Sequence, residues 1–214
     1  MCDLWLGFGS PSTLSNWGCD ANHVPIQPVC SWAGITCDSN NCGMVASMSS
    51  GGPSLRGTIS SSIGQLTSLT SLNLTGSPQL HGTLPLSFNQ LTSLRILNLS
   101  NNNLGGSIPD MFYNLRNISL LLLNNNLLTG YGPPSICALG NMKEISLNHN
   151  QLSCYPTCLL NAPNPGDTLP VADPNALIPG GGGATYGSKT GNLTNLAGKR
   201  LDPESSSSTC KGRK

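Results

Sequence analysis

The sequence predicts a single α/β solenoid: a right-handed coil whose turns each give one short strand to a parallel concave sheet and close through an irregular or 3₁₀ back wall. Three observations carry that reading. Leucines recur at a long fixed period, each period holds the same Leu-x-Leu pair, and the nine cysteines gather toward the two ends of the chain.

One unit reads Leu91-x-x-Leu94-x-x-Leu97-x-Leu99-x-x-Asn102-x-Leu104-x-Gly106-x-Ile108-Pro109, and its opening leucine recurs as Leu66, Leu115 and Leu139, in steps of 25, 24 and 24 residues. The Leu-x-Leu pair keeps the same register at Leu72/Leu74, Leu97/Leu99, Leu121/Leu123 and Ile145/Leu147. With a degenerate first copy around Met48, Leu55, Gly57 and Ile59, this makes about five coils. Within each pair the two leucines point inward and the residue between them points out, which is the alternation of a strand. Asn102, Asn126 and Asn150 follow that strand where the chain turns, and an amide there satisfies backbone groups of adjacent coils. Gly57, Gly82, Gly106 and Gly130 permit a tight bend, and Pro85, Pro109 and Pro133 forbid a long helix after it. Ile63, Phe88, Phe112 and Ile136 form one column of the back wall and fill the core between coils.

Composition excludes several function classes. Only 9% of the 214 residues are charged, against about 25% in an ordinary domain. The net charge of +1 gives no field to steer nucleic acid or an anionic membrane. No apolar run reaches the roughly 18 residues of a membrane span. His23, His81 and His149 are too scattered to make a triad or a metal site with the few carboxylates, so no catalytic residue, metal or cofactor is expected. Gly183-Ala-Thr-Tyr-Gly187-Ser188-Lys189-Thr190 misses the phosphate-loop spacing, because Ser188 stands where glycine is required.

The cysteines lack Cys-x-x-Cys zinc spacing, and sequons at Asn73, Asn98, Asn117 and Asn192 point to the secretory route. Both read as an extracellular, disulfide-bearing protein with N-linked glycans. Met1-Cys2-Asp3-Leu4-Trp5 has no signal-peptide character, so the expectation is that the numbering starts inside a longer precursor or that its leader is missing from the sequence.

A solenoid exposes its core at both ends and needs caps. Residues 1–44 form the expected N-terminal cap, 45–158 the repeats with a C-terminal cap, and 159–214 a Pro/Gly/Ser-rich tail or linker. The front cap holds Trp17 and then Cys30-Ser31-Trp32-Ala33-Gly34-Ile35-Thr36-Cys37. Together with the repeat, this segment resembles the plant-type extracellular leucine-rich-repeat proteins, over roughly residues 14–158. That family includes receptor-like ectodomains, inhibitors of cell-wall polygalacturonases and an ice-binding protein.

The resemblance implies that Cys30 pairs with Cys37. For the remaining front-cap cysteines, pairing of Cys19 with Cys42 is the reading from the residues, with Cys2 as the alternative partner of Cys19. At the back, Cys154 replaces the repeat glycine. Stacking brings Cys137 and Cys158 within disulfide range, while Cys154 is the other candidate partner for Cys158. Nine is odd, so one thiol is free or pairs outside the chain.

An open solenoid binds through its concave sheet. The outward central column is Ser49, Asn73, Asn98, Leu122 and Ser146, flanked by Ser71, Ile96, Leu120 and Glu144 on one side and by Thr75, Ser100, Asn124 and Asn148 on the other. Glycans at Asn73 and Asn98 would cover its early half. A partner is then expected at the late coils, on Ile96, Leu120, Leu122, Lys143, Glu144 and His149, with both leucines exposed. The resemblance implies a non-catalytic module that binds another protein or peptide. A second reading, a structural subunit that binds copies of itself in a filament or matrix, follows from the odd cysteine and low charge. A third, ice binding, rests on the neutral surface and on the ladders Thr67/Thr92 and Ser68/Ser93.

Overall fold

The computed structural model describes residues 1–9, 16–39, 44–50, 55–154 and 156. The chain opens with helix α1 (Cys2–Gly7), a 3₁₀ turn at Val29–Ser31 and strand β1 (Ile35–Cys37). Strands β2 (Val45–Ser49), β3 (Arg56–Thr58), β4 (Ser71–Asn73), β5 (Gln79–Thr83), β6 (Ile96–Asn98), β7 (Asn103–Ser107), β8 (Leu120–Leu122), β9 (Leu127–Tyr131), β10 (Glu144–Ser146) and β11 (Gln151–Cys154) follow. Short 3₁₀ helices at Ser61–Gln65, Leu86–Gln90, Phe112–Asn114 and Pro134–Ala138 close the coils.

The strands form two sheets. One runs β1-β2-β4-β6-β8-β10, parallel except that β1 lies antiparallel on β2 and covers its outer edge. The other runs β11-β9-β7-β5-β3 and is parallel throughout. This second sheet departs from the expectation of one strand per coil. The repeat glycine does not end the extended segment. It sits inside the strand at positive φ (71° at Gly106), opposite the core leucine of the next coil: Gly57 faces Leu80, Gly82 faces Leu104 and Gly106 faces Leu128. A Cβ at Gly106 would lie 2.8 Å from Thr83 Cγ2, so the close approach of coils requires glycine there.

The inward positions fall as the repeat requires. Leu72, Leu97, Leu121 and Ile145 are fully buried, and so are Phe88, Phe112 and Ile63, with Ile136 nearly so. Each such side chain contributes about 1.5 to 3 kcal/mol of burial, which is realised only between stacked coils.

The asparagine ladder closes the polar bookkeeping of the turns. Asn102 Nδ2 donates to the Leu74 and Leu99 carbonyls at 2.8 and 2.9 Å, and its Oδ1 accepts from the Ser77 N–H at 2.8 Å. Asn126 repeats this with Leu99, Leu123 and the Leu104 N–H, and Asn150 with Leu123, Leu147 and the Leu128 N–H. Every coil thus hydrogen-bonds its predecessor through a buried side chain as well as through its strands.

In the cap, Trp17 and Trp32 pack with ring centroids 4.9 Å apart, and their indole N–H groups donate to the Ala33 and Gln27 carbonyls. Cys30 and Cys37 are joined. Cys19 pairs with Cys2 rather than with Cys42, and Cys42 lies outside the described residues. The reason is α1, which buries Cys2, Leu4 and the adjoining Phe8 under the cap and brings the Cys2 and Cys19 Cα atoms within 5.8 Å. Cys137 is disulfide-bonded. Its expected partner Cys158, Cys210 and the 159–214 tail lie outside the described residues.

Candidate binding surface

Strand register aligns the outward side chains of the concave sheet in columns. Ser47, Ser71, Ile96, Leu120 and Glu144 are successive partners, and so are Ser49, Asn73, Asn98, Leu122 and Ser146. These are the columns read from the repeat. Their two halves differ in chemistry.

On the early coils several polar groups hydrogen-bond one another. Asn98 Oδ1 accepts from the Ser100 hydroxyl at 2.7 Å and from its N–H at 3.1 Å. Thr75 Oγ1 lies 2.9 Å from Ser100 Oγ, and Asn73 Oδ1 accepts from the Thr75 N–H.

On the late coils, Ile96 and Leu120 stand side by side in one column and Leu122 lies two residues along β8. All three are half-buried; Leu120 and Leu122, expected to be exposed, lie on β8 with β6 on one side and β10 on the other. Glu144 is exposed at the end of the Leu120 column, and Lys143 is exposed just before it. Ser146 is buried, its hydroxyl donating to Asn148 Oδ1 at 2.7 Å.

His149 does not join this group. It occupies the turn after β10 with φ of 54°, at the position that Asn101 and Asn125 hold at φ of 58° and 54°. Its backbone carbonyl accepts from the Asn126 N–H at 3.1 Å, so it is a turn residue at the rim between the sheets. The other histidines lie elsewhere: the His23 ring contacts Asp3 in the cap, and His81 Nδ1 contacts the Gly57 carbonyl on β3.

Of the sequons, Asn73 and Asn98 are half-buried and directly opposed on neighbouring strands. Asn117 is exposed in the turn before β8, its amide donating to the Thr92 carbonyl at 2.9 Å. Asn192 lies outside the described residues. Arg95, preceding Ile96, and Arg116, preceding Asn117, are also exposed and lie outside the set that the repeat pattern singles out. The pattern signals outward positions on the strands, and both arginines sit just upstream of them.

Residues 67–128 and 92–152 match the family described as Leucine rich repeat. A stretch of 46 residues, 22% of this chain and 5% of the relative, is 46% identical to phytosulfokine receptor 1 of Arabidopsis thaliana. Among solved structures the chain is similar to PEPR1 with AtPEP1 at 31% identity and a TM-score of 0.62, covering 70% of this chain and 21% of that one. It is similar also to the BIR3–SERK2 complex from Arabidopsis thaliana at 29% identity and a TM-score of 0.61, covering 78% of this chain and 90% of that one. The chain therefore spans about a twentieth of the curated relative and about a fifth of the first of these structures. Among the described residues no helix is long and apolar enough to cross a membrane.

Proposed function

Because the chain belongs to the leucine-rich-repeat proteins of the plant extracellular type, we propose that it is a non-catalytic recognition module. It binds an extended segment of a peptide or protein across the late coils of its concave face. One observation carries the proposal: the register sets Ile96, Leu120 and Leu122 together as a half-buried apolar cluster on β6 and β8, beside early strands that carry Ser47, Ser49, Ser71 and Asn73 in the same columns. A clustered apolar patch of this kind is where a partner gains most from excluding water. The partners in two similar structures, a PEPR1 complex with AtPEP1 and a BIR3 complex with SERK2, support recognition of peptides or proteins as the class of activity.

The test is selection of a phage-displayed library of linear peptides on the full chain. The selected peptides compete with one another for one site. They lose at least about tenfold in affinity, or 1.4 kcal/mol, on Leu122→Asp, with Leu120→Ser as a milder companion and the melting temperature as the check on folding. Peptides that bind Leu122→Asp as tightly as the parent chain, or no enrichment at all, would overturn the proposal.

A further inference from the structure

The rim bordering that cluster carries cations that the surface does not balance. Arg95, Ser119 and Lys143 hold one position on three consecutive coils, the Ser119 N–H donating to the Arg95 carbonyl and the Lys143 N–H to the Ser119 carbonyl, both at 2.8 Å. With strands ~4.8 Å apart, the Arg95 and Lys143 backbones stand roughly 10 Å apart along the rim. Arg116 lies three residues before Ser119, its carbonyl accepting from Asn141 Nδ2 at 2.9 Å. All three cations are exposed, and the ion pair among the described residues is elsewhere, between His23 and Asp3 in the cap.

The acids among the described residues of the repeat coils are Asp110 and Glu144. Asp110 belongs to the back wall, where its Oδ1 accepts from the Ser135 N–H at 3.0 Å. Glu144 stands over the sheet in the column of Leu120, one residue beyond the rim. Positive charge therefore runs along the rim, apolar surface lies immediately inside it, and one negative charge closes the far end of the apolar column.

The geometry points to a definite ligand chemistry for this face: an acidic, extended peptide segment. Its apolar side chains rest on Ile96, Leu120 and Leu122, and its carboxylates lie along Arg95, Arg116 and Lys143. The inference rests on the peptide-binding reading of the concave face and adds the charge that the peptide must carry. An extended chain advances about 3.3 Å per residue, so acids two to four positions apart reach both Arg95 and Lys143. Glu144 repels an acid over the sheet and keeps the carboxylates on the rim. Rim charges act mainly on the rate of encounter and on its salt dependence.

The same peptide selection tests this. Peptides chosen on the parent chain are enriched in Asp and Glu over the input library and bind several-fold more weakly as ionic strength rises. On Arg95→Glu/Lys143→Glu the enrichment switches to Lys and Arg, while dependence on Leu122 is retained. Glu144→Gln strengthens binding of the acidic peptides. Selected peptides without acidic bias, or acidic peptides that bind Arg95→Glu/Lys143→Glu as tightly as the parent, overturn this inference and leave the apolar site standing. Loss of the Leu122 dependence instead overturns the reading beneath it.

Discussion

Trp32 in the front cap and Phe112 in the repeat body are both almost wholly buried, at 1% and 0% exposure, but their surroundings hold them by different means. Phe112 stands in a column with Phe88 and Ile136, between coils that repeat the same strands, the same asparagine and the same 3₁₀ turn. Any contact it makes is echoed one coil away. Trp32 packs against Trp17, its segment is closed by the Cys30–Cys37 bond, and α1 is held to the cap at Cys19 through Cys2. The cap is built from contacts that occur once, and the body from contacts that recur. A recurring contact spreads damage to its neighbours, whereas a unique one fails by itself.

The largest expected effect tests the body. Phe112→Ala removes a buried aromatic ring from between coils and should cost about 3 to 5 kcal/mol. The comparison predicts that this loss lowers the cooperative unfolding transition of the repeats as one unit, read as a fall in melting temperature by far-ultraviolet circular dichroism. Damage confined to one coil in amide exchange would mean that the repeats do not unfold as one unit.

Next comes the cap. Replacing Cys2 and Cys19 together by serine opens a 17-residue loop, for which chain entropy gives about 3 kcal/mol. Here the effect should stay local. Amides of the cap, from Trp17 to Ile35, exchange faster, while those of β6 to β9 keep their protection. Equal loss of protection in both regions would show that the cap is no separate element of stability.

A smaller effect sharpens the contrast inside the body. Asn126→Ala leaves the Leu104 N–H without its buried acceptor and takes one side-chain donor from each of the Leu99 and Leu123 carbonyls, which keep Asn102 and Asn150, at a cost of about 1 to 3 kcal/mol. Because Asn102 and Asn150 bond the coils on either side, Asn102→Ala/Asn126→Ala should depart from the sum of its single variants, measured by denaturant unfolding. Strict additivity would mean that the ladder is a row of independent bonds.

The repeat body was legible in the sequence because its signal is periodic. The inward leucines, the asparagine ladder, the phenylalanine column and both outward columns follow from register alone. What the residues did not disclose depends on contacts between positions that share no period. The second sheet hides behind a glycine, which reads as a bend because its positive φ usually ends a strand, while here the neighbouring coil holds it in line. The pairing of Cys2 with Cys19 depends on where α1 docks. Half-burial of Leu120 and Leu122 depends on the side chains of adjacent strands. Of the candidate site, the apolar cluster and Glu144 came from the pattern. Arg95 and Arg116 did not, since a rim cation matters only beside a surface it borders.

The smallest effect again belongs to the cap, and it depends on pH. Asp3 holds two parts of the molecule together: its Oδ1 lies 3.0 Å from His23 Nδ1 in the cap loop, and its Oδ2 accepts from the Ser62 hydroxyl at 3.0 Å at the first 3₁₀ helix. Hydrogen bonding from His23 first, then from Ser62, holds its carboxyl below the ordinary value of 3.8. A carboxyl depressed in the folded state stabilises that state at pH values above its unfolded value. The contribution is lost as pH falls below 3.8 and through the folded value, where the protonated acid no longer accepts those bonds at full strength. The group is exposed, so solvent screens the pair and the change is modest. Opening of the cap, followed by the fluorescence of Trp17 and Trp32 on acidification, should show this component in the parent chain and lack it in Asp3→Asn. The repeat transition should be the same in both. An identical acid response of the cap in the two proteins would remove Asp3 from the contacts that tie the cap to the first coil, leaving the disulfide and the buried face of α1 to do so.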